Sequence, residues 1–304
     1  MAVETAIETD ADLVMASDPD ADRVGAAVKN NEGEWVLLNG NQTALMFVYY
    51  LITRWKELGK INGKEYIVKT IVTTETIKTI AERNGVEMYD VYTGFKWIAN
   101  VMRENEGKKN YIGGGEESYG FLCEDFVRDK DAVSACVILA EIAAWAKDQG
   151  LSLYQLLQKI YVEYGFSKEK GISVVKKGKS GAEEIEAMMK KFRENPLTEI
   201  AGSKVTYFYD YSTLKGKDYA ENETVTLDMP TTSNVLQYFT EDNTKVSIRP
   251  SGTEPKIKFY CEVHSKVKNI DELPEAEKAG RSEEHTSELQ SLTNLVCRLL
   301  LEKK

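Results

Sequence analysis

Three aspartates in the segment SDPDADR are spaced two residues apart, and an arginine follows them directly. Asp18, Asp20 and Asp22 bring like charges so close together that a cation among them would be favourable. An EF-hand loop opens with this spacing but needs glycine sixth and glutamate twelfth, where this chain has Arg23 and Lys29. Three carboxylates on one loop instead suit Mg²⁺, and Arg23 can pair with a carboxylate or a phosphate. The alternative is a solvated acidic turn.

A second segment whose residue types could bind a ligand is GGGEESYG, residues 113–120. Three consecutive glycines after a short strand predict a loop that allows close backbone approach. Two carboxylates and a hydroxyl follow, and carboxylates accept hydrogen bonds from neighbouring sugar hydroxyls. Glu116, Glu117 and Ser118 are therefore candidate carbohydrate ligands. The alternative is a helix N-terminus with acidic residues in its first turn.

The segment RPSGTEPK, residues 249–256, has the composition of a phosphate-binding loop. A Ser-Gly-Thr turn lies between two prolines, so its backbone N–H groups can form an anion nest and its hydroxyls can donate. Arg249 adds a guanidinium that can bind an anion through two parallel hydrogen bonds. The candidate phosphate ligands are Arg249, Ser251, Gly252 and Thr253. A plain hairpin turn would have a similar pattern.

A fourth segment, TGFK, lies at a predicted junction between a strand and a helix. Thr93 and Gly94 precede the first helical residue, and Lys96 lies within the first turn. A helix N-terminus with a lysine nearby suits an anion. The alternative is an ordinary N-cap, which has the same pattern.

The elements that must position these segments form two kinds of pattern. Between residues 34 and 165, strands alternate with helices of amphipathic spacing, which predicts an α/β domain with a mixed sheet. Residues 1–33 contain only a strand pair and half a helix, too little to fold alone. Gly165 and the charged stretch 167–170 predict a linker. Residues 166–280 then predict an α+β domain with an antiparallel sheet.

Composition excludes several classes of protein. A net charge of −10 disfavours a broad basic face for nucleic acid. The most apolar run, residues 132–146, is too short to span a bilayer and contains Glu141. Four scattered cysteines without a CxxC pair predict free thiols in a reducing compartment, the cytoplasm. The sequence leaves the oligomeric state open.

Residues 281–304 are treated separately because they begin with RSEEHTSELQS, which resembles the translation of a common sequencing-adapter oligonucleotide. We interpret this stretch as a non-native tail and exclude it from function. His264 is then the one remaining histidine. Acid–base chemistry and metal sites built on histidine are therefore disfavoured.

Taken in order, the four segments resemble those of the α-D-phosphohexomutases, most closely their phosphoglucomutase branch. DPDADR resembles the Mg²⁺ loop of that family, TGFK and GEESYG resemble two loops of its third domain, and RPSGTEPK resembles the phosphate-binding loop of its fourth. The resemblance covers about residues 1–280. It implies that residues 1–33 are the end of a second domain, 34–165 a third domain and 166–280 a fourth.

The resemblance implies an isomerase that interconverts glucose 1-phosphate and glucose 6-phosphate. Its chemistry is Mg²⁺-dependent phosphoryl transfer through a phosphoserine and a bisphosphate intermediate, which depends mainly on positioning and charge neutralisation. The implied metal ligands are Asp18, Asp20 and Asp22. The implied substrate ligands are Arg23, Thr93, Gly94, Lys96, Glu116 and Ser118, and the implied phosphate ligands are Arg249, Ser251, Gly252 and Thr253.

One departure from the family pattern is large, because the loop with the nucleophilic serine has no counterpart in this sequence. We therefore assign no catalytic residue and expect a fragment that is inactive alone. Three alternatives stay open: a phosphomannomutase or other phosphohexomutase, a chain that binds phosphosugars without catalysis, and an unrelated Mg²⁺-dependent phosphatase with an aspartate nucleophile.

Overall fold

The structure is a computed structural model that describes residues 1–176, 178–252 and 254–279, without the side chains of residues 179 and 279. Thr253 and the proposed tail, 281–304, lie outside the described residues. The chain divides into two compact units. The first is Met1–Gly165, and the second begins at Phe166.

The first unit contains six helices and seven strands in its described residues. The helices are α1 Ala2–Glu8, α2 Gly40–Glu57, α3 Thr76–Arg83, α4 Phe95–Asn105, α5 Ala132–Asp148 and α6 Leu153–Tyr164. The strands are β1 Leu13–Ser17, β2 Val24–Lys29, β3 Trp35–Leu38, β4 Glu65–Thr70, β5 Glu87–Val91, β6 Asn110–Gly115 and β7 Phe121–Cys123.

A three-stranded antiparallel sheet carries the acidic loop. Its order is β1-β2-β3, and Ser17 pairs with Val24, so SDPDADR connects the two strands of a hairpin. β3 pairs with β2 through Trp35 and Lys29. The sheet therefore includes residues on both sides of position 33, and the same compact unit contains all of them.

A four-stranded mixed sheet, of order β5-β4-β6-β7, carries the two sugar-loop candidates. β4 is parallel to both β5 and β6, whereas β7 is antiparallel to β6. One face packs on α4 through an apolar cluster that includes Tyr66, Val68 and Ile98. Because β4 is central, all of its residues are buried. The predicted α/β class with a mixed sheet is confirmed.

The glycine run was expected to be a loop, but Gly113, Gly114 and Gly115 lie within β6. A Cβ atom on Gly114 would lie 2.3 Å from the carbonyl oxygen of Val68, and one on Gly115 would lie 2.6 Å from the carbonyl oxygen of Gly120. Glycine is required here because the neighbouring strands approach too closely for any side chain. The loop itself is the short connection from β6 to β7, and β7 was not predicted.

The second unit is built on an eight-stranded antiparallel sheet. Its strands are β8 Phe166–Val175, β9 Glu199–Ile200, β10 Ser203–Asp210, β11 Lys215–Asp218, β12 Glu223–Thr226, β13 Leu236–Thr240, β14 Lys245–Pro250 and β15 Lys256–Ser265. Their order is β12-β11-β10-β13-β14-β15-β8, with β9 paired to β10. The helices are α7 Gly178–Glu194, a 3-10 turn Ile270–Glu272 and α8 Leu273–Ala279. The predicted antiparallel α+β fold is confirmed.

The predicted linker at residues 167–170 is wrong, because this stretch lies within β8. Strand β8 pairs with β15 along its whole length, from Phe166 opposite Ser265 to Val175 opposite Lys256. Charged residues are tolerated there because β8 is an edge strand of the sheet. The apolar residues of α7, among them Met189 and Phe192, pack on the buried face of the sheet. Among the described helices, none is both long enough and apolar enough to cross a membrane.

Candidate functional site

The β1–β2 connection is closed by the side chain of Asp18. Its Oδ1 accepts hydrogen bonds from the backbone N–H groups of Asp22 and Arg23, each at 3.2 Å. Ala21, within the turn, has a left-handed backbone with φ of 56°. Asp20 and Arg23 are exposed at the tip. Asp18 therefore shapes the loop with one oxygen, as short polar side chains commonly do in turns.

Asp22 is paired with a lysine that the sequence analysis did not select. Nζ of Lys130 lies 2.7 Å from Oδ2 of Asp22, and the lysine side chain is only 12% exposed. The hydrogen bond from Lys130 is the main cause that lowers the pKa of Asp22, and burial opposes it. Burial likewise opposes ionisation of Lys130, but Asp22 and Asp129 outweigh it and raise the pKa of Lys130. Both groups are thus held in their charged forms.

The fit of this loop to Mg²⁺ is chemical rather than geometric. Oδ1 of Asp22 is buried and has no hydrogen-bond donor within the part of the chain that the structure describes. Nε of Arg23 lies 3.8 Å from this oxygen. Carboxylate oxygens of this kind are the donors that Mg²⁺ prefers. However, no three His, Cys, Asp or Glu side chains among the described residues are grouped so that they could hold a metal ion. Asp18 and Asp22 each use one oxygen within the protein instead.

Glu116 joins the two sugar-loop candidates. Its side chain is buried, and Oε1 accepts a hydrogen bond of 2.7 Å from the backbone N–H of Gly94. Its own backbone N–H donates to the carbonyl oxygen of Gly120 at 2.9 Å. Ser118 is half-buried on the same loop. The segments TGFK and GEESYG are therefore neighbours, which the sequence order alone did not establish.

Thr93 and Lys96 lie on either side of this contact. The hydroxyl oxygen of Thr93 is buried and has no hydrogen-bond partner in the described part of the chain. Lys96 is exposed in the first turn of α4, with its Nζ 5.1 Å from the centre of the Trp97 ring. Gly94, at the N-cap of α4, has φ of 117°, a conformation that L side chains rarely adopt.

Backbone contacts bring the acidic loop to the same place. The N–H of Val24 donates to the carbonyl oxygen of Tyr119 at 3.1 Å, and Arg23 forms a β-bridge with Gly120. The N–H of Ala132, at the start of α5, donates to the carbonyl oxygen of Ala21 at 3.1 Å. Three of the four segments selected from the sequence therefore converge at one end of the first unit.

Lys130 could not be found from sequence because it lies in an ordinary charged run, Arg128-Asp129-Lys130-Asp131. Its role becomes visible only through its burial and its contact with Asp22. A second buried lysine, Lys69 on β4, lies 2.7 Å from Asp90 and 3.0 Å from Glu75. This pairing supports the end of β5, from which the TGFK segment begins.

The phosphate-loop candidate lies in the second unit, in the hairpin between β14 and β15. Arg249 is half-buried on β14 opposite Lys258. The N–H of Ser251 donates to the carbonyl oxygen of Lys256 at 2.7 Å, and Oγ of Ser251 accepts from the N–H of Glu254 at 3.3 Å. Gly252 is exposed, and among the described residues other than its own chain neighbours none has an atom within 4 Å of the position that a Cβ would take.

Comparisons with known proteins match both units to one family. The model described as "Phosphoglucomutase/phosphomannomutase, alpha/beta/alpha domain III" matches residues 39–164. The model described as "Phosphoglucomutase/phosphomannomutase, C-terminal domain" matches residues 173–279. The phosphoglucomutase of Staphylococcus aureus (strain USA300) is 38% identical over 90% of this chain and 48% of its own length. That of Staphylococcus haemolyticus (strain JCSC1435) is 33% identical, with the same coverage.

Solved structures agree on the fold. The pp63/parafusin phosphoglucomutase of Paramecium, in an open form, superposes with a TM-score of 0.58 at 16% identity, over 95% of this chain and 45% of that one. A phosphoglucomutase/phosphomannomutase family protein of Burkholderia thailandensis has a TM-score of 0.56 at 19% identity, over 92% of this chain and 49% of that one. The chain spans about half the length of the curated relatives it matches. The family resemblance predicted from the sequence is confirmed: the chain belongs to the phosphoglucomutase/phosphomannomutase family of α-D-phosphohexomutases.

Proposed function

We propose that this chain provides the sugar-binding, metal-binding and phosphate-binding loops of a phosphoglucomutase, which interconverts glucose 1-phosphate and glucose 6-phosphate. The observation that carries the proposal is the hydrogen bond between Glu116 and Gly94, together with the bond from Val24 to Tyr119. These contacts gather an acidic loop, a helix N-terminus and a carboxylate–hydroxyl pair in one unit. Curated relatives that are 38% and 33% identical to this chain over the aligned residues are named phosphoglucomutases.

Glu116 and Ser118 are proposed to bind sugar hydroxyls. Oε1 of Glu116 is committed to Gly94, which fixes the orientation of the carboxylate and leaves Oε2 to accept from a ligand. The hydroxyl of Ser118, two residues later, can donate or accept. A carboxylate and a hydroxyl on a short loop suit adjacent hydroxyls of a hexose, in glucose and mannose alike.

Asp18, Asp20 and Asp22 are proposed to hold Mg²⁺, with Arg23 beside them to contact the phosphate of the substrate. When bound, the metal would neutralise negative charge on the phosphoryl group. The protein's own contribution is to keep Asp22 ionised, and the ammonium of Lys130 does this at 2.7 Å. The ammonium of Lys130 already neutralises Asp22, and the three carboxylates are not grouped around one point in the described residues. Binding of Mg²⁺ would therefore require the carboxylates to move closer together.

Arg249, Ser251, Gly252 and Thr253 are proposed to bind the phosphate that does not react. Arg249 supplies the guanidinium, and the open surroundings of Gly252 leave its backbone accessible to an anion. The serine hydroxyl also contacts the N–H of Glu254, which tightens the turn. This site lies in the second unit.

Calorimetric titration of the 304-residue chain tests the proposal. We expect glucose 1-phosphate to bind more tightly than inorganic phosphate. Arg249→Ala should lower the affinity for both ligands. Glu116→Gln should lower the affinity for glucose 1-phosphate and leave the affinity for inorganic phosphate unchanged. Glu104→Gln, at an exposed position on α4, should change neither affinity. Equal affinities for glucose 1-phosphate and inorganic phosphate would contradict the sugar site.

Mannose 1-phosphate, titrated in parallel, decides between the phosphoglucomutase and the phosphomannomutase alternatives. Catalysis is tested by mixing this chain with the N-terminal half of the Staphylococcus aureus relative and following conversion of glucose 1-phosphate. Asp20→Ala should abolish the Mg²⁺-dependent conversion. Binding without conversion in any mixture would favour a phosphosugar-binding chain, and release of inorganic phosphate by this chain alone would favour a phosphatase.

A further inference from the structure

Helix α2 begins in direct contact with the backbone of the proposed sugar loop. A Cβ atom on Gly40 would lie 2.0 Å from the carbonyl oxygen of Glu117 and 2.7 Å from the backbone nitrogen of Tyr119. Both neighbours are backbone atoms, so no flexible side chain could move aside. Gly40 is not among the residues with positive φ, and its backbone conformation alone therefore does not require glycine. The close approach is the reason for glycine at this position.

The first turn of α2 is fixed by hydrogen bonds within the helix and to the segment before α3. Asn39 and Gln42 form a capping box, with hydrogen bonds of 2.8 Å and 3.0 Å between each side chain and the other residue's backbone N–H. Oδ1 of Asn41 accepts from the N–H of Thr74 at 3.0 Å. Residues 43–52 of the helix are all buried. A side chain added at position 40 would therefore displace the loop rather than the helix.

The loop is the softer partner in this contact. Tyr119 has a left-handed backbone with φ of 72° and is 41% exposed. Left-handed backbone is unfavourable for a bulky residue, so the surroundings must hold it in place. The hydrogen bonds from Gly94 to Glu116 and from Val24 to Tyr119 also hold the loop in place. Their two N–H groups therefore report where the loop lies.

We propose that Gly40 is a positioning residue whose bare backbone sets the location of the loop 116–119, and with it the placement of Glu116 and Ser118 toward a hexose phosphate. Gly40 supplies no group to the ligand and acts only through the loop. The part of this inference that concerns the ligand rests on the proposed function, whereas the part that concerns the loop stands on the contact distances alone.

Hydrogen exchange on the 304-residue chain tests the loop directly. Gly40→Ala should speed exchange of the Val24 and Gly94 amides by on the order of tenfold, the equivalent of one weakened hydrogen bond, and leave amides of the central strand β4 protected. The matched control is Gly25→Ala, because within the described part of the chain a Cβ on Gly25 would meet only the carbonyl oxygen of Ala16, at an ordinary 3.9 Å. Unchanged exchange at Val24 and Gly94 in Gly40→Ala would overturn the inference.

Ligand titration of the same variants separates this inference from the proposed function. We expect Gly40→Ala to lose about tenfold in affinity for glucose 1-phosphate, again the worth of about one hydrogen bond, with affinity for inorganic phosphate unchanged. If exchange rises but the unaltered chain does not bind glucose 1-phosphate, the loop assignment stands and the proposed function fails. If the unaltered chain binds and Gly40→Ala binds equally well, the positioning role is overturned.

A second variant keeps the test decisive if Gly40→Ala does not fold. Replacing Tyr119 by glycine relaxes the left-handed backbone and gives the loop freedom to move away from α2. The double variant Gly40→Ala/Tyr119→Gly should then recover cooperative unfolding in urea. Failure of the double variant to recover would show that the damage lies in the helix and would overturn the inference.

Discussion

Oε1 of Glu116 accepts a hydrogen bond from the backbone N–H of Gly94 at 2.7 Å, so a single contact joins two loops whose residues lie 22 positions apart in the chain. The carboxylate is buried, and Gly94 lies immediately before helix α4. A buried carboxylate that accepts from a backbone N–H at a helix start is stabilised by that N–H and by the helix dipole. The same side chain is the one proposed to bind sugar, so the hydrogen bond to Gly94 would also fix its orientation toward that ligand.

Removal of the Glu116 carboxylate should destabilise the first unit. Glu116→Ala leaves the N–H of Gly94 without its acceptor, which costs about 1 to 3 kcal/mol of unfolding free energy. Glu116→Gln keeps an acceptor oxygen and should cost less. Urea unfolding measures both, and Glu104→Ala, exposed on α4, serves as the control with an expected change within about 0.5 kcal/mol. Equal effects of Glu116→Ala and Glu104→Ala would contradict the importance of the contact.

Replacement of Lys130 should raise the pKa of Asp22. The hydrogen bond from Lys130 is the largest cause of the lowered pKa of Asp22, and the opposing effect of burial remains when the lysine is removed. Lys130→Met keeps most of the side-chain volume and removes the charge. Titration of the Asp22 carboxyl carbon by NMR follows the change, with Lys96→Met as the control because Lys96 is exposed in the first turn of α4. A pKa of Asp22 that does not rise would exclude Lys130 as its counter-ion.

Glu65 should make the first unit sensitive to acid. Burial alone would raise the pKa of Glu65, but hydrogen bonds from the backbone N–H groups of Asn62 and Gly63 and from the side chain of Asn110 outweigh it and lower the pKa. Because the folded pKa lies below the unfolded value of about 4.3, the stabilisation is present above that value and is lost as the pH falls through the folded pKa.

Glu65→Gln is the matching variant for this prediction. It should cost about 1 to 3 kcal/mol near neutral pH, because hydrogen bonds to a charged acceptor are replaced by weaker ones. Below the folded pKa of Glu65, the difference between the two proteins should shrink. Urea unfolding at a series of pH values checks both statements, and a difference that stays constant down to strongly acidic pH would contradict the pKa assignment.

The three described cysteines should differ in reactivity. Cys123 and Cys261 are buried, and burial raises the pKa of Cys123 and brings that of Cys261 to about 12. Burial also raises the pKa of Cys136, but this residue is only half-buried on α5. Because the thiolate is the reactive form, iodoacetamide should modify Cys136 first.

A Cys297→Ser background removes the cysteine that lies outside the described residues. Peptide mapping by mass spectrometry then measures each of the other three sites, before and after unfolding in urea. Modification of Cys123 in the folded protein at the rate of Cys136 would contradict the burial of β7. This experiment also tests the expectation that the cysteines are free thiols, which was drawn from their spacing.

Several helices could be predicted from local pattern. The bounds of α3 and α6 agree with the apolar spacing of the sequence, because a helix buries one stripe of its own residues and its hydrogen bonds are local. Strands were harder to predict. β7, β9, β11 and β13 were not identified. The stretch 167–170 was mistaken for a linker, because its place in β8 depends on a partner strand about ninety residues away, from Lys168 opposite Val263 to Lys170 opposite Cys261.

By itself, the sequence determined the chemical content of this protein: three aspartates two residues apart, a carboxylate and a hydroxyl after a glycine run, and an arginine beside a Ser-Gly-Thr turn. Their order was sufficient to indicate the family. Only the tertiary structure decided that Glu116 holds Gly94, that Lys130 pairs with Asp22, and that Gly40 lies against the backbone of Glu117. Each of these contacts joins residues that are distant in the chain, and packing of whole elements, rather than local propensity, brings such residues together.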